Sequence, residues 1–413
     1  MYRRRALPLV ALATAAALSA VLSAVPAQAV AAGAARVALP ALSGPHQVGT
    51  AELHLVDTGR QDPWHPNEKR ELMVTVTYPA WPAGARAPWL SAAGARVLDR
   101  EVSSVLTGPV DWVGTTRRAR TAAPVERVRG GWPVVLFSPG FGVARELNAT
   151  ITDDLASHGY VVVSMAHTYE SQWVEFPNGR VVEAEVGDDP ASFRTALEAR
   201  IADTRFVLDE VTHLDRGQNP DAEHDPLPRG LAGSLDLSDV GVFGHSYGGF
   251  TAAETMYRDQ RFDAGVNLDG SMVVGDPDLP GDSVLHGVGR PFMLVGSDAV
   301  DPATGQVREG THTSGFEPSW GTFWTNQRGW KRDLHFSGSA HLGFTDYQVV
   351  LPQLSRVLQP GVSEAIIGTI DPTRSARAQH EYLAGFFDLH LKHRDRHLFD
   401  HDDPRYPATR FVP

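Results

Sequence analysis

The segment from Val240 to Arg258 limits the possible folds more than any other part of the chain. An uninterrupted apolar run, Val240–Phe243, leads into Gly244-His245-Ser246-Tyr247-Gly248-Gly249, and a helical pattern, Phe250–Arg258, leads out. A G-x-S-x-G turn between a buried strand and a helix holds its serine on a sharp, strained corner with the hydroxyl above the sheet. The glycines leave room for strand and helix to pack closely. The helix start aims backbone N–H groups at negative charge developing beside the serine. A glycine-rich packing turn with an inert serine is the plain alternative. It accounts for the glycines but not for their place between a strand and a helix.

The rest of the chain supplies the sheet that such a corner needs. Pro133–Phe137, Tyr160–Met165, Val240–Phe243, Ala264–Leu268, Pro291–Val295 and Asp333–Phe336 are short apolar runs without polar alternation. Helical patterns or loops separate them, including a stretch ending at His158, the long Ser192–Leu214 and the acidic loop Asn219–Pro228. Strands apolar on both sides belong to a mostly parallel sheet with helices on both faces. Gly49–Asp57 and Leu72–Tyr78 alternate instead, around the loop Gly59–Lys69, and are expected as an antiparallel pair at an N-terminal sheet edge. A last helix is expected over Gln379–Lys392. One sheet is built throughout, so residues 47–398 read as a single α/β domain. A loose Ala/Pro-rich leader precedes it at 30–46, and a polar tail follows at 399–413.

Residues 1–29 read as an export signal. Arg3, Arg4 and Arg5 precede an apolar stretch, Ala6–Val25, and Ala27-Gln28-Ala29 is a small-x-small cleavage site. The expected product is a secreted, extracellular protein. Its arginine-dominated basic residues and abundant Ala, Gly and Pro suggest a GC-rich bacterial genome. Cleavage removes three positive charges and no acid, making the mature chain more acidic than the whole chain's −12. An acidic surface lacks the basic footprint of a duplex-binding protein, so no nucleic-acid partner is expected. The chain has no cysteine, which rules out a thiol nucleophile, thiolate metal sites and disulfides.

A serine hydroxyl needs a base, and the base needs an orienting carboxylate. In this topology the chain order is serine, acid, histidine. His341 fits, in the loop Ser337-Gly338-Ser339-Ala340-His341 after the run Asp333–Phe336. His335 lies inside that run and is expected to be packed, and His312 lies in a polar loop. For the acid, Asp269 directly follows Ala264–Leu268, whereas Asp298 and Asp301 follow the next run. Both places are carboxyl ends of strands, where ligand sites collect, and spacing leaves the choice open. The oxyanion hole should combine the N–H of Tyr247 with one from the loop after Pro133–Phe137, assigned to Phe141. Among other features, His167 reads as structural or bordering the pocket. Trp320, Trp324 and Trp330 are candidates for an acyl pocket. His390, His393 and His397 are expected on one helical face, as favourable positive character at a helix C-terminus or as a surface metal site.

The segments LFSPGFGVAR (136–145), DLASHGYVVVSMAH (154–167), GHSYGG (244–249), NLDGSM (267–272) and GSAHLGFTDY (338–347) carry a more specific signal together than the serine motif alone. Through them the chain resembles the platelet-activating factor acetylhydrolase family, especially the plasma-type enzyme and its secreted bacterial relatives. The resemblance implies an α/β-hydrolase fold with Ser246 as nucleophile and His341 as base. It places the acid on Asp269, because that family takes its carboxylate from the strand directly after the nucleophile helix. It implies a cofactor-independent esterase without metal or calcium, acting on short or oxidised acyl chains, phospholipid sn-2 esters included, with transient contact to a lipid surface. The stretch 298–332 and both termini depart from the plasma enzyme. Rival readings are a general lipase, a polyester (cutinase-like) hydrolase, a peptidase, or a non-catalytic binding protein on the same fold.

Overall fold

The computed structural model describes residues 33–274, 279–301 and 304–413, so the segment 1–29 read as an export signal lies outside the described residues. The spine is an 11-stranded mixed sheet. In chain order its strands are β1 (Val48–Gln61), β2 (Lys69–Pro79), β3 (Arg86–Pro88), β4 (Thr116–Thr121), β5 (Trp132–Ser138), β6 (Val161–Ala166), β7 (Leu235–His245), β8 (Phe262–Leu268), β9 (Phe292–Gly296), β10 (Lys331–Phe336) and β11 (Thr409–Phe411). Across the sheet they run β11-β10-β9-β8-β7-β5-β6-β2-β1-β4-β3. From β6 through β5, β7, β8 and β9 to β10 every neighbour is parallel. The pairs β1–β2, β2–β6 and β10–β11 are antiparallel.

The larger helices are α1 (Ala92–Val102), α2 (Ala149–Ser157), α3 (Pro190–Asp215), α4 (Tyr247–Arg258), α5 (Pro318–Asn326) and α6 (Pro372–His390). Successive strand residues face opposite sides of a sheet, and here both sides are apolar. Val134 and Leu136 of β5 join Leu197 and Ile201 of α3 and Phe250 and Met256 of α4. Val135 and Phe137, between them in sequence, join Ile151 and Leu155 of α2 and Phe386 and Phe387 of α6. The mostly parallel sheet covered on both faces is therefore as expected. The two longest helices begin where an aspartate precedes a proline. Asp189 caps α3 by accepting from the N–H groups of Ala191 and Ser192, and Asp371 caps α6 through Arg374. Proline at the first helical position supplies a preset φ and lacks only an N–H that would have no partner.

Four expectations need correction. The β1–β2 pair is antiparallel but not an edge, because β4 pairs with β1 and β3 lies beyond it. The tail 399–413 is not merely polar chain: β11 pairs with β10, and Val412 is buried. Helix α6 ends at His390, and His393 and His397 follow it with φ of 52° and 56°, so the three histidines share no helical face. The described part of the leader, from residue 33, is irregular but not loose. Val37 and Leu39 are buried, and Ser43 donates from its backbone N (2.6 Å) and its Oγ (2.8 Å) to the Asp154 carboxylate on α2.

Asp154 ties leader, α2 and α6 together, since His158 and His380 also face it. Burial acts to raise its carboxyl, but His380, His158 and the Ser43 donors outweigh burial and bring it down to about 2 from an ordinary 3.8. A depressed folded-state value of that size contributes about 2 kcal/mol of stability at neutral pH. The contribution is complete above the unfolded value and is lost as pH falls through the folded one. Asp154→Asn is therefore expected to cost about 2 kcal/mol in urea unfolding at neutral pH, with the difference from the parent shrinking below about pH 4.

Candidate active site

Strand β7 ends at His245 and α4 begins at Tyr247, so Ser246 alone makes the corner, with φ 55° and ψ −126°. A non-glycine residue held there stores strain on the order of 1–3 kcal/mol, and the surroundings show what holds it. A Cβ on Gly244 would stand 2.2 Å from the Gly248 carbonyl carbon, one on Gly248 1.9 Å from the Ser138 carbonyl oxygen, and one on Gly249 2.0 Å from Asn267 Oδ1. Only glycine lets β5, β7, α4 and β8 approach so closely. The Ser246 N–H donates to the Leu268 carbonyl (2.7 Å), which pins the corner to the end of β8.

That end of β8 carries Asp269, also at positive φ (59°). Its turn is clamped by Asn267, which accepts from the Gly270 N–H and donates to the Gly270 carbonyl, both at 2.8 Å. Asp269 Oδ2 lies 2.7 Å from His341 Nδ1, and His341 Nε2 lies 2.9 Å from Ser246 Oγ. A carboxylate only accepts, so Nδ1 carries the imidazole proton and the Nε2 lone pair faces the serine hydroxyl. Ser297, just past β9, donates to the same carboxylate from its backbone N and its Oγ, each at 2.7 Å. Burial acts to raise the Asp269 carboxyl, but His341 and the Ser297 donors outweigh it and hold it below its ordinary value.

His245 anchors the backbone of His341. Its Nε2 lies 2.9 Å from the His341 carbonyl oxygen, so Nε2 bears the proton and donates. Burial first, and repulsion from His341 second, push the His245 imidazole down to about 3, which keeps it neutral. Tyr247 is the first residue of α4, so its N–H has no acceptor within the helix. Phe141 follows Gly140, where an added Cβ would come within 3.2 Å of Ser246 Cβ. The loop after β5 thus reaches the serine corner.

The remaining candidates fall elsewhere. Asp298 accepts from the Gly338 N–H (2.6 Å) and pairs with the fully buried His335 (2.8 Å), and Asp301 pairs with Arg308. Of the carboxylates that spacing left open, Asp269 is the one within hydrogen-bond distance of His341. His312 is bound to Asp333 and stacked on Trp324. Buried His167 joins Ser138 to Asp203. Trp320 donates to the Gly270 carbonyl (2.8 Å) and so supports the Asp269 turn, whereas Trp330 packs with Phe386 and Phe399. Asn267, Ser297 and His245 were not singled out from the sequence, although Asn267 and His245 sit inside the quoted motifs. Among the described residues no group of three or more metal-ligating side chains could hold an ion.

Residues 31–404 match the family model described as platelet-activating factor acetylhydrolase, isoform II. A probable 1-alkyl-2-acetylglycerophosphocholine esterase from Arthroderma benhamiae is 26% identical over 401 residues, covering 91% of this chain and 93% of that protein. The dog platelet-activating factor acetylhydrolase is 26% identical over 229 residues, 51% of this chain and 47% of that protein. The solved ferulic acid esterase from Streptomyces cinnamoneus superposes with a TM-score of 0.71 at 31% identity, covering 91% of this chain and 99% of that one. The sheet and its helices are thus those of the α/β-hydrolase fold.

The glycine contacts yield a direct test. Gly248→Ala sets its new methyl against the Ser138 carbonyl, which is backbone and cannot turn aside. The overpacking is expected to cost about 1–3 kcal/mol in thermal or urea unfolding. Displacement of the corner by about 1 Å to relieve that overlap is expected to lower hydrolysis of p-nitrophenyl acetate by roughly 10²-fold. Parent-like turnover in a folded Gly248→Ala protein would show that the corner tolerates the shift.

Proposed function

The chain belongs to the platelet-activating factor acetylhydrolase isoform II family and is a carboxylic ester hydrolase, and on that premise we propose that it works through Ser246, His341 and Asp269. The observation that carries the proposal is the unbroken hydrogen-bonded line from Ser246 Oγ through the His341 imidazole to the Asp269 carboxylate. His341 Nε2 takes the hydroxyl proton as Ser246 Oγ bonds to the ester carbonyl carbon. The carbonyl oxygen becomes an oxyanion held by the N–H groups of Phe141 and Tyr247. The tetrahedral species collapses, the C–O bond to the alcohol breaks, and the imidazolium returns its proton to that alcohol. Water, deprotonated in turn by His341, then releases the acid from the acyl-serine. Each step uses side chains and backbone amides alone.

For the substrate we propose a short or oxidised acyl ester, with sn-2 esters of phospholipids as the physiological class. The likeness to a 1-alkyl-2-acetylglycerophosphocholine esterase over most of both chains supports this reading. So do the apolar side chains exposed on the excursions that leave β8 and β9, among them Leu279, Leu285, Val300, Val307 and Phe316, which suit transient contact with lipid. A second reading has its own support. The likeness to a ferulic acid esterase, at higher identity over a similar span, favours an aromatic acyl group. Export through residues 1–29 completes the proposal, on the strength of the arginines, the apolar stretch and the Ala27-Gln28-Ala29 site.

A fluorophosphonate probe is expected to label the parent protein at Ser246, and neither Ser246→Ala nor His341→Ala should retain more than about 10⁻³ of its turnover. Asp269→Asn is expected to be crippled while Asp298→Asn keeps most activity; the reverse pattern would move the acid to Asp298. Fastest turnover on acetyl or butyryl p-nitrophenyl esters and on 2-acetyl phospholipid supports the lipid reading. Fastest turnover on methyl ferulate supports the aromatic one.

A further inference from the structure

The nucleophile, base and acid are explained by their mutual contacts, but nothing so far explains what fixes the Phe141 amide. A loop amide stabilises an oxyanion only if it is aimed before the charge appears, because reorienting a dipole during the reaction consumes the benefit. The residue that aims it lies on another element. Arg200 of α3 is buried, at 1% exposure, and every one of its five N–H groups has an acceptor. Nε and one N–H of Nη2 go to Glu170. Nη1 donates to Ser138 Oγ (3.0 Å) and the Pro139 carbonyl (2.7 Å), and the other N–H of Nη2 to the Gly140 carbonyl (3.1 Å).

The consequence follows from peptide geometry. In a trans peptide the C=O and the following N–H point in opposite directions. With the Gly140 carbonyl drawn to Arg200, and also accepting from the Val143 N–H (3.1 Å), the Phe141 N–H is turned away from α3. Gly140 abuts Ser246 and His245. Helix α3 holds the other oxyanion residue as well. The Arg200 guanidinium carbon lies 5.5 Å from the Tyr247 ring centroid, and the Tyr247 hydroxyl donates to the Phe193 carbonyl (2.6 Å). The Phe141 ring packs on Phe193 at 4.7 Å between centroids.

We infer that Arg200 is a positioning residue that preorganises the oxyanion hole by holding the carbonyls of Pro139 and Gly140. The inference rests on the reading of Ser246 as nucleophile and of the Phe141 and Tyr247 amides as oxyanion donors. Lysine keeps the charge but offers three donors from one point, so it cannot serve Glu170, Ser138, Pro139 and Gly140 together.

The test compares p-nitrophenyl acetate with its thiono counterpart, in which sulfur replaces the carbonyl oxygen and accepts the aligned N–H groups poorly. The parent is expected to prefer the oxygen ester strongly. In Arg200→Lys that preference should shrink at least tenfold, or about 1.4 kcal/mol, through kcat on the oxygen ester with KM nearly unchanged. Because both substrates are measured on one preparation, standardised by fluorophosphonate titration, a misfolded fraction cancels from the ratio. A purely structural role would lower the titre and the melting temperature and leave the ratio alone, which would overturn the inference. Should Arg200→Lys not fold, Glu170→Gln, which keeps the arginine but removes its anionic partner, is expected to move the ratio the same way; an unchanged ratio there overturns it equally. A parent that fails to label or to prefer oxygen refutes the underlying catalytic reading instead.

Discussion

The site depends on a place where backbone meets backbone with no side chain between. At the carboxyl ends of β5, β7 and β8, the positions of Gly244, Gly248 and Gly270 each lie so near a neighbouring backbone that a Cβ would overlap it. The resulting contacts set the spacing of every functional group. The loop after β5 is placed against Ser246 by Gly248 and Gly140. The Asp269 turn is placed against the same serine by Gly270 and by the hydrogen bond from the Ser246 N–H to the Leu268 carbonyl. Backbone contacts of this kind have few degrees of freedom, so the tolerance they impose is tighter than side-chain packing could achieve. The strain at Ser246 is sustained by the same contacts, which surround the corner.

Hydrogen-bond distances alone would not single this site out. Ser138, His167 and Asp203 form a second serine–histidine–aspartate line, at 2.9 and 3.0 Å, and Ser337, His335 and Asp298 a third, at 3.2 and 2.8 Å. The second line is wholly buried, and its serine oxygen is already occupied as an acceptor by Arg200. Burial, reinforced by Arg200, lowers the His167 imidazole and keeps it neutral, its proton committed to Asp203. That line joins β5 and β6 to α3 and offers no atom to a substrate. In the third, Ser337 is exposed but follows a strand end, with no helix N-terminus beginning beside it. Of these three serines, Ser246 is the one that combines partial exposure, a strained corner, a helix start behind it and a glycine loop in front.

The parts of this arrangement that were legible in the sequence are those encoded locally. Apolar runs long enough to be buried on both faces gave the parallel strands, and the glycine spacing gave the corner. The acid was not local information. The pairing of Asp269 rather than Asp298 with His341 follows from the parallel register of β8 and β9, which sets Leu268 opposite Val295 and so brings Ser297 alongside Asp269, with Asp298 turned toward His335. The same limit hid the outer strands. β3 and β11 are three residues long and owe their conformation to partners far away in the chain, Thr116–Arg120 and Leu334–Phe336. The helix starts were readable but missed: Asp189-Pro190 and Asp371-Pro372 are cap signals that precede the apolar periodicity by some residues. The leader's attachment rests on contacts from distant parts of the chain, among them Asp154 under Ser43, Arg118 on the Leu39 and Pro40 carbonyls and Gln353 on Ala38, which no periodicity marks.

Charge in the site is arranged as sparingly as space. In the proposed mechanism the reaction creates an imidazolium at His341, and the protein must stabilise that cation without making the serine's proton transfer premature. Asp269 supplies the negative charge, held by Ser297 and by the imidazole itself, so it stays ionised despite its burial. A second cation beside His341 would work against it. His245, whose ring centroid is 4.7 Å from that of His341, is the group placed to do so. Burial suppresses its charge, and the neutral ring donates to the His341 carbonyl instead. Arg200, a permanent cation bonded to the loop that abuts Ser246, is engaged by Glu170 and by the Pro139 and Gly140 carbonyls. Its field is thereby paired locally, while its hydrogen bonds act on the opposite pole of the reaction, where the negative charge forms.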